Sequence, residues 1–336
     1  MKSIFLNNNQ KQIPYVYPQE TIDLLVAEAG LDPQIYSAEQ LLADPSIGAD
    51  VDYIFSTWGM PALTEEQIAT CLPKLKAVFY GAGSVQYFAR PFLNRGIAVF
   101  SAWAANAVPV AEYSVAQIIL ANTGYFQACA IHSTPPAERA ETNVTFKSYP
   151  GNYDCSVGLL GCGMIGAMVA ERLKDYHLKV LAFDPFLSDE RAAELGVEKT
   201  TLERIFTECQ TVSNHLANNP QTVGMLNYDR CFGRMLPNAT FINTGRGAQV
   251  VEDDMIRALK EEPCRTAVLD VTFPEPPVDD SELYKMANVF LTPHIAGSKG
   301  LEVHRMSLYM LEEFRRFVKG EPVRWSVSLK MLETMA

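Results

Sequence analysis

Val157-Gly158-Leu159-Leu160-Gly161-Cys162-Gly163-Met164-Ile165-Gly166 is an apolar strand that runs straight into G-x-G-x-x-G, and Ala167 to Leu173 continues as a helical pattern. Strand, glycine turn and helix in that order form a phosphate cradle. Gly161 permits the tight turn, Gly163 lets backbone approach a pyrophosphate, and Gly166 allows the helix to pack closely on the strand. The free N–H groups of Met164 and Ile165 face the anion. The next apolar run ends in Phe183-Asp184, 18 positions after Gly166. A carboxylate there accepts both ribose hydroxyls and repels a 2′-phosphate, so the motif points to NAD rather than NADP.

Around this motif the chain alternates apolar runs with amphipathic stretches. Ser156–Leu160, Leu178–Phe183, Thr211–His215, Ala239–Ile242, Thr266–Leu269 and Val289–Leu291 are six candidate strands of one doubly wound parallel sheet. Upstream, Ser3–Leu6, Val51–Phe55, Leu75–Tyr80 and Ile97–Phe100 give a second α/β alternation. Asn106 and Pro109 read as the start of a long helix reaching about Asn122, and His132 to Tyr153 as an extended arm. Val303, Met306, Met310, Phe314 and Phe317 recur at helical spacing before Gly320, a helix expected to pack on the first domain.

Composition narrows the function classes. The 336 residues suit two domains, and 48% hydrophobic with 20% charged residues describes a folded chain. Twenty-eight basic against 39 acidic side chains give a net charge of −11, which argues against a nucleic-acid or anionic-membrane partner. Seven scattered cysteines without a C-x-x-C pair suggest neither a disulfide framework nor a metal site, and the apolar start Ile4-Phe5-Leu6 is too short for a secretory signal. A cytoplasmic location is expected.

Three residues stand just beyond strands of the second sheet, the edge where open α/β sheets bind ligands. Arg246 lies in Asn243-Thr244-Gly245-Arg246-Gly247, Glu275 in Leu269-Asp270-Val271-Thr272-Phe273-Pro274-Glu275-Pro276-Pro277, and His294 in Leu291-Thr292-Pro293-His294. An arginine fork grips a carboxylate bidentately, although Arg246 alone reads equally well as a surface ion-pair partner. His132, His177 and His304 are read as structural.

Together the glycine motif with Asp184, the Asn243–Gly247 stretch, the Leu269–Pro276 stretch and Thr292-Pro293-His294-Ile295-Ala296-Gly297 resemble, in order, the D-isomer-specific 2-hydroxyacid dehydrogenases. That family includes D-lactate and D-3-phosphoglycerate dehydrogenases and glyoxylate/hydroxypyruvate reductases. The resemblance implies a flavodoxin-like substrate domain, residues 1–104 and 299–336, with a Rossmann NAD-binding domain, 105–298, inserted. It implies that Arg246 binds the substrate carboxylate and polarises the keto group, that His294 is the acid/base, and that Glu275 orients the imidazole and favours its charged form. Asp270 and the Thr244 backbone would hold the nicotinamide amide beside Gly245, Arg246 and His294. His215, Leu216, Ala217 and Thr222 would line the cofactor. Tyr80-Gly81-Ala82-Gly83-Ser84 is similar to the family's carboxylate-binding glycine loop, with Ala82 and Gly83 as contacts, although a plain strand-to-helix turn explains the same glycines.

A homodimer through the cofactor domain is implied too, with Tyr125–Tyr153 contributing. Departures from the family pattern are Val85-Gln86-Tyr87 after the glycine loop, Ala217 in place of proline, and Asn122-Thr123-Gly124 in place of a common arginine. Ser56-Thr57-Trp58-Gly59-Met60-Pro61 follows a strand and holds no Lys or Arg, which favours a non-phosphorylated 2-keto acid with an apolar or aromatic group against Trp58 and Met60. A core or dimer role explains Trp58 as well, and Arg90 and Arg95 could reach the substrate from elsewhere. The expected activity is hydride transfer between NAD(H) and a 2-hydroxyacid or 2-keto acid. An NAD(H)-sensing corepressor-like binding protein on the same fold is the alternative, while glutamic acid at position 275 speaks against a formate dehydrogenase.

Overall fold

The computed structural model describes residues 1–133, 135 and 146–333. The chain divides into two compact units, residues 1–107 with 298–336 and residues 108–297.

The first unit opens with β1 (Ser3–Leu6), β2 (Leu31–Tyr36), β3 (Tyr53–Ser56), β4 (Ala77–Tyr80) and β5 (Ala98–Ser101), paired in parallel in the order β5-β4-β3-β1-β2. This is the flavodoxin-like order, and its carboxyl edge carries the loops after β1, β3 and β4. Strands β1, β3 and β4 are buried at every position, as central parallel strands covered on both faces must be. The strand β2 was not anticipated, because Leu-Asp-Pro-Gln-Ile-Tyr carries a proline and polar residues. It pairs only with β1, and an edge is where a missing N–H is tolerated.

In the second unit β6 (Tyr153–Leu160), β7 (His177–Phe183), β8 (Glu198–Lys199), β9 (Thr211–Asn214), β10 (Thr240–Asn243), β11 (Thr266–Leu269) and β12 (Val289–Leu291) form one parallel sheet in the order β12-β11-β10-β9-β6-β7-β8. The two-residue edge strand β8 makes seven strands where six were expected. The order reverses between β6 and β9, which sets the ligand crevice at their carboxyl ends.

The helix expected to start at Asn106 starts at Trp103 and runs to Asn122. Pro109 therefore sits in the helix interior, where it cannot donate to the Ala105 carbonyl. Asn106 is not the N-cap; its Oδ1 accepts the Ser298 N–H at 2.9 Å. This is the one described helix long and apolar enough to cross a membrane, and half of it is buried in the protein. Within the stretch read as an arm, residues 134 and 136–145 lie outside the described residues. Tyr125–His132 is a helix, and Tyr153 already belongs to β6.

The last helix, His304–Lys319, ends at Gly320 with φ 69°. Its Met306, Met310, Leu311 and Phe314 are buried against Tyr53, Phe55, Phe79 and Phe100 of the first unit. Phe79 stacks between Phe55 and Phe100 at 5.1 and 4.9 Å, and Phe314 meets its edge at 5.6 Å. The fully buried Glu313 accepts the N–H groups of Arg324 and Trp325, which leads the chain into β13 (Ser326–Val327), antiparallel to β5. Phe314→Ala removes a ring from this cluster and should cost about 3–5 kcal/mol, read as a lower urea midpoint, whereas an unchanged midpoint would mean that the helix does not hold the sheet.

Candidate active site

At the end of β6, Gly161 has φ 86°, and a Cβ there would lie 2.9 Å from the His215 carbonyl oxygen. A Cβ on Gly166 would lie 2.0 Å from the Gly161 oxygen, whereas one on Gly163 would meet nothing within 4 Å. Crowding at two positions and open space at the third is the shape a pyrophosphate needs. Helix Met164–Leu173 begins here with Gly163 as its N-cap, so its unpaired N–H groups face that space. Asp184 directly follows β7 and opens the turn after it. Its Oδ2 accepts the Cys162 N–H and its Oδ1 the Phe186 N–H, both at 2.8 Å, which ties the carboxylate to the glycine loop and leaves a lone pair on each oxygen for a diol. Burial and the Asp184 charge push the Cys162 thiol up to about 12, so the loop adds no anion of its own. The residues fit a dinucleotide.

The loops after β9 and β10 form the next part. Leu216 donates its N–H to Asn214 Oδ1, and the Thr222 hydroxyl donates to the Ala217 carbonyl at 2.7 Å, closing the turn expected to line the cofactor. Three buried amides knit these loops together, and the motif reading did not find them. Asn214 Nδ2 donates to Asn243 Oδ1 at 2.9 Å and to Gln249 Oε1 at 2.7 Å, while Gln249 accepts the Arg246 N–H and donates to the Leu216 carbonyl. Amides at strand ends inside apolar runs were the available signal. Thr244 lies nearby, its hydroxyl 3.2 Å from that of Ser114. His215 sits where the surrounding protein desolvates its ring and pushes its pKa down to about 4.

Arg246, Glu275 and His294 converge. His294 Nδ1 lies 2.7 Å from Glu275 Oε1, with both side chains about half exposed, and Nε2 has no partner among the described residues. Arg246 Nη1 donates to the Gly245 carbonyl at 2.8 Å, while burial lowers the guanidinium pKa and the Glu275 charge opposes that shift. The group stays cationic, with donors to spare. Asp270, buried at the end of β11, carries the loop of His294: Oδ1 accepts the Thr292 hydroxyl at 2.6 Å and the Ile295 N–H at 2.8 Å, and Oδ2 accepts the Ala296 N–H at 2.8 Å. His294 itself has φ 54°, a left-handed conformation held by its N–H bonds to the Asp270 and Thr292 carbonyls, both 3.0 Å. Asp270 therefore has only one lone pair left for a nicotinamide amide, less than the resemblance alone suggests.

The expected substrate contacts lie in the first unit. Gly83 is partly exposed, but Ala82 is fully buried. The apolar wall expected from Trp58 and Met60 is not formed as such: Met60 is 2% exposed, packed in the core cluster with Leu6 and Val78, and Trp58 is half-buried against apolar residues. A methionine one turn beyond a buried strand finds the core before it finds solvent.

Residues 136–296 match the family model described as D-isomer specific 2-hydroxyacid dehydrogenase, NAD binding domain. The D-3-phosphoglycerate dehydrogenase of Archaeoglobus fulgidus is 31% identical over 244 residues, 71% of this chain and 44% of that protein. The putative 2-hydroxyacid dehydrogenase YoaD of Bacillus subtilis is 32% identical over 233 residues, 68% of this chain and 65% of its own length. The chain thus spans less than half the length of the D-3-phosphoglycerate dehydrogenases it matches. Among solved structures, a phosphoglycerate oxidoreductase from Rhizobium etli has a TM-score of 0.80 at 19% identity, covering 98% of this chain and 99% of that one. The NAD-complexed D-isomer specific 2-hydroxyacid dehydrogenase of Lactobacillus delbrueckii ssp. bulgaricus has a TM-score of 0.73 at 21% identity, covering 98% and 100%. Fold and family model together define a doubly wound α/β protein with an NAD-binding domain. Residues 136–296 thus form an NAD-binding domain of the D-isomer-specific 2-hydroxyacid dehydrogenase type, and NAD is the cofactor of this matched domain.

His215 gives this region a pH signature. The unfolded chain protonates it near 6.5 and the folded chain only near 4, so the unfolded state binds the extra proton as pH falls between those values, and stability drops. The loss should be of order 3 kcal/mol by pH 4. In urea melts from pH 7 to pH 4, His215→Asn should fall less steeply than wild type; parallel curves would contradict this assignment.

Proposed function

We propose that this protein catalyses reversible, D-specific reduction of a non-phosphorylated 2-keto acid with NADH. The observation that carries the reading is the 2.7 Å contact of Glu275 with His294 Nδ1 beside the half-buried Arg246, beyond β10, β11 and β12 on the carboxyl edge that also bears the glycine cradle. Bound NADH supplies the hydride. His294 holds a proton at Nε2 and delivers it to the oxygen on which negative charge develops, while Glu275 orients the ring through Nδ1. Arg246 engages the carboxylate and keto oxygen through its fork, stabilising charge in the transition state. Asp184 selects the unphosphorylated ribose.

The absence of Lys and Arg from Ser56–Pro61 supports a non-phosphorylated substrate, with Trp58 alone as the candidate apolar contact. The seven free cysteines suit a reducing cytoplasm, and exposed Leu120, Tyr125, Tyr153 and Tyr176 on the second unit suit a homodimer through it.

Specificity constants for phosphohydroxypyruvate, glyoxylate and phenylpyruvate test the substrate class, which fails if the phosphorylated compound leads. Direct titration should find NADH bound at least about tenfold more tightly than NADPH; equal affinity would remove the role given to Asp184. His294→Ala should lower kcat by a factor of about 10² to 10⁴ with little change in NADH affinity, and Arg246→Lys should also be severely impaired. Near-wild-type kcat in either variant would overturn the site.

A further inference from the structure

The loop after β4 is held by side chains that no motif contains. The Thr57 hydroxyl donates to the Gly81 carbonyl at 2.8 Å. The Ser101 hydroxyl is shared between the Ala82 and Gly83 carbonyls at 2.9 and 2.5 Å, and the Ala102 N–H also donates to Ala82. Thr57 and Ser101 are both fully buried. Beneath them the Tyr17 hydroxyl donates to the Ser56 carbonyl at 3.1 Å, the same oxygen that accepts the Gly81 N–H at 2.8 Å. The Tyr17 ring covers Gly81 so closely that a Cβ there would lie 2.9 Å from the phenolic oxygen.

Three consecutive carbonyls are therefore turned into the protein. These peptides are trans, and in a trans peptide the N–H points opposite to the carbonyl of the same plane. Turning the Ala82 and Gly83 carbonyls toward Ser101 drives the N–H groups of Gly83 and Ser84 the other way. Neither N–H has an acceptor among the described residues, both residues are partly exposed, and only Asn106 Nδ2, at 3.7 Å, comes near the Cβ position of Gly83. Two adjacent outward N–H groups make a concave donor pair suited to an anion with two oxygens.

We propose that Ser101, assisted by Thr57, is a positioning residue that aims the Gly83 and Ser84 N–H groups at the carboxylate of the 2-keto acid. This rests on the reaction proposed above. Loss of the Ser101 hydroxyl frees the Gly83 carbonyl to rotate outward, where it would repel the carboxylate that the Ser84 N–H should bind, and loss of the Thr57 hydroxyl loosens the preceding Gly81 peptide from which the loop continues. The interaction is with the unreacting end of the substrate, so its loss falls on KM more than on kcat.

The test compares Ser101→Ala, Thr57→Val and Thr57→Ser with wild type by steady-state kinetics on the best 2-keto acid and by titration of the NADH complex with oxamate, a carboxylate that is not reduced. Ser101→Ala and Thr57→Val should raise KM about 5- to 20-fold and weaken oxamate in parallel, with kcat changed less. Thr57→Ser, which keeps the hydroxyl, should recover most of the loss. Unchanged KM and oxamate affinity in folded Ser101→Ala, or equal impairment of Thr57→Ser and Thr57→Val, would overturn the proposal. If wild type reduces no 2-keto acid, the proposed reaction fails, and oxamate decides the loop separately: binding weakened in Ser101→Ala supports it, and no binding to wild type overturns it.

Discussion

The Asp270 carboxylate is the constraint on which the geometry of the candidate site depends. One buried anion at the end of β11 accepts the Thr292 hydroxyl and two backbone N–H groups, and so fixes the loop that carries His294. A buried carboxylate left without donors is expensive, so the loop and the anion stabilise each other only in this arrangement. The left-handed backbone of His294, unfavourable for a residue with a Cβ by about 1–2 kcal/mol, is held by its N–H bonds to the Asp270 and Thr292 carbonyls. With the backbone fixed, Nδ1 meets Glu275 and Nε2 is left without a partner among the described residues.

The same device recurs at three further loops that leave the sheets. Asp184 fastens the glycine cradle, Gln249 joins the Arg246 loop to the loop after β9, and Thr57 and Ser101 turn three carbonyls inward. In each case a polar side chain, fully buried except for the partly exposed Asp184, takes up the bonding capacity of loop backbone that no strand partner can reach. The parallel sheets supply rigid strand ends, and these contacts decide the direction of the donors beyond them.

What the sequence discloses follows from the range of each signal. The strand, the three glycines and Asp184 lie within 28 positions, Val157 to Asp184, and each has a steric or electrostatic reason for its residue type, so the cradle was readable. The helix His304–Lys319 was readable because periodicity is local. The edge strand with Pro33, the two-residue strand Glu198–Lys199 and the antiparallel pair Ser326–Val327 were not, because their pairing comes from a distant neighbour. Pro109 misled because its usual place is the first helical turn, and here the helix begins six residues earlier. Met60, Asn214, Gln249 and Ser101 owe their roles to contacts across 18 or more positions, which leave no pattern along the chain.

In the proposed reaction Glu275, bonded to Nδ1, makes His294 the proton donor without serving the cofactor. Glu275→Gln keeps an acceptor for Nδ1–H but replaces the carboxylate beside the ring with a neutral amide. Its kcat/KM for 2-keto acid reduction at pH 7 should therefore fall by about 10- to 100-fold while NADH titrates as in wild type. An unchanged kcat/KM, or a loss matched by an equal loss of NADH affinity, would contradict it.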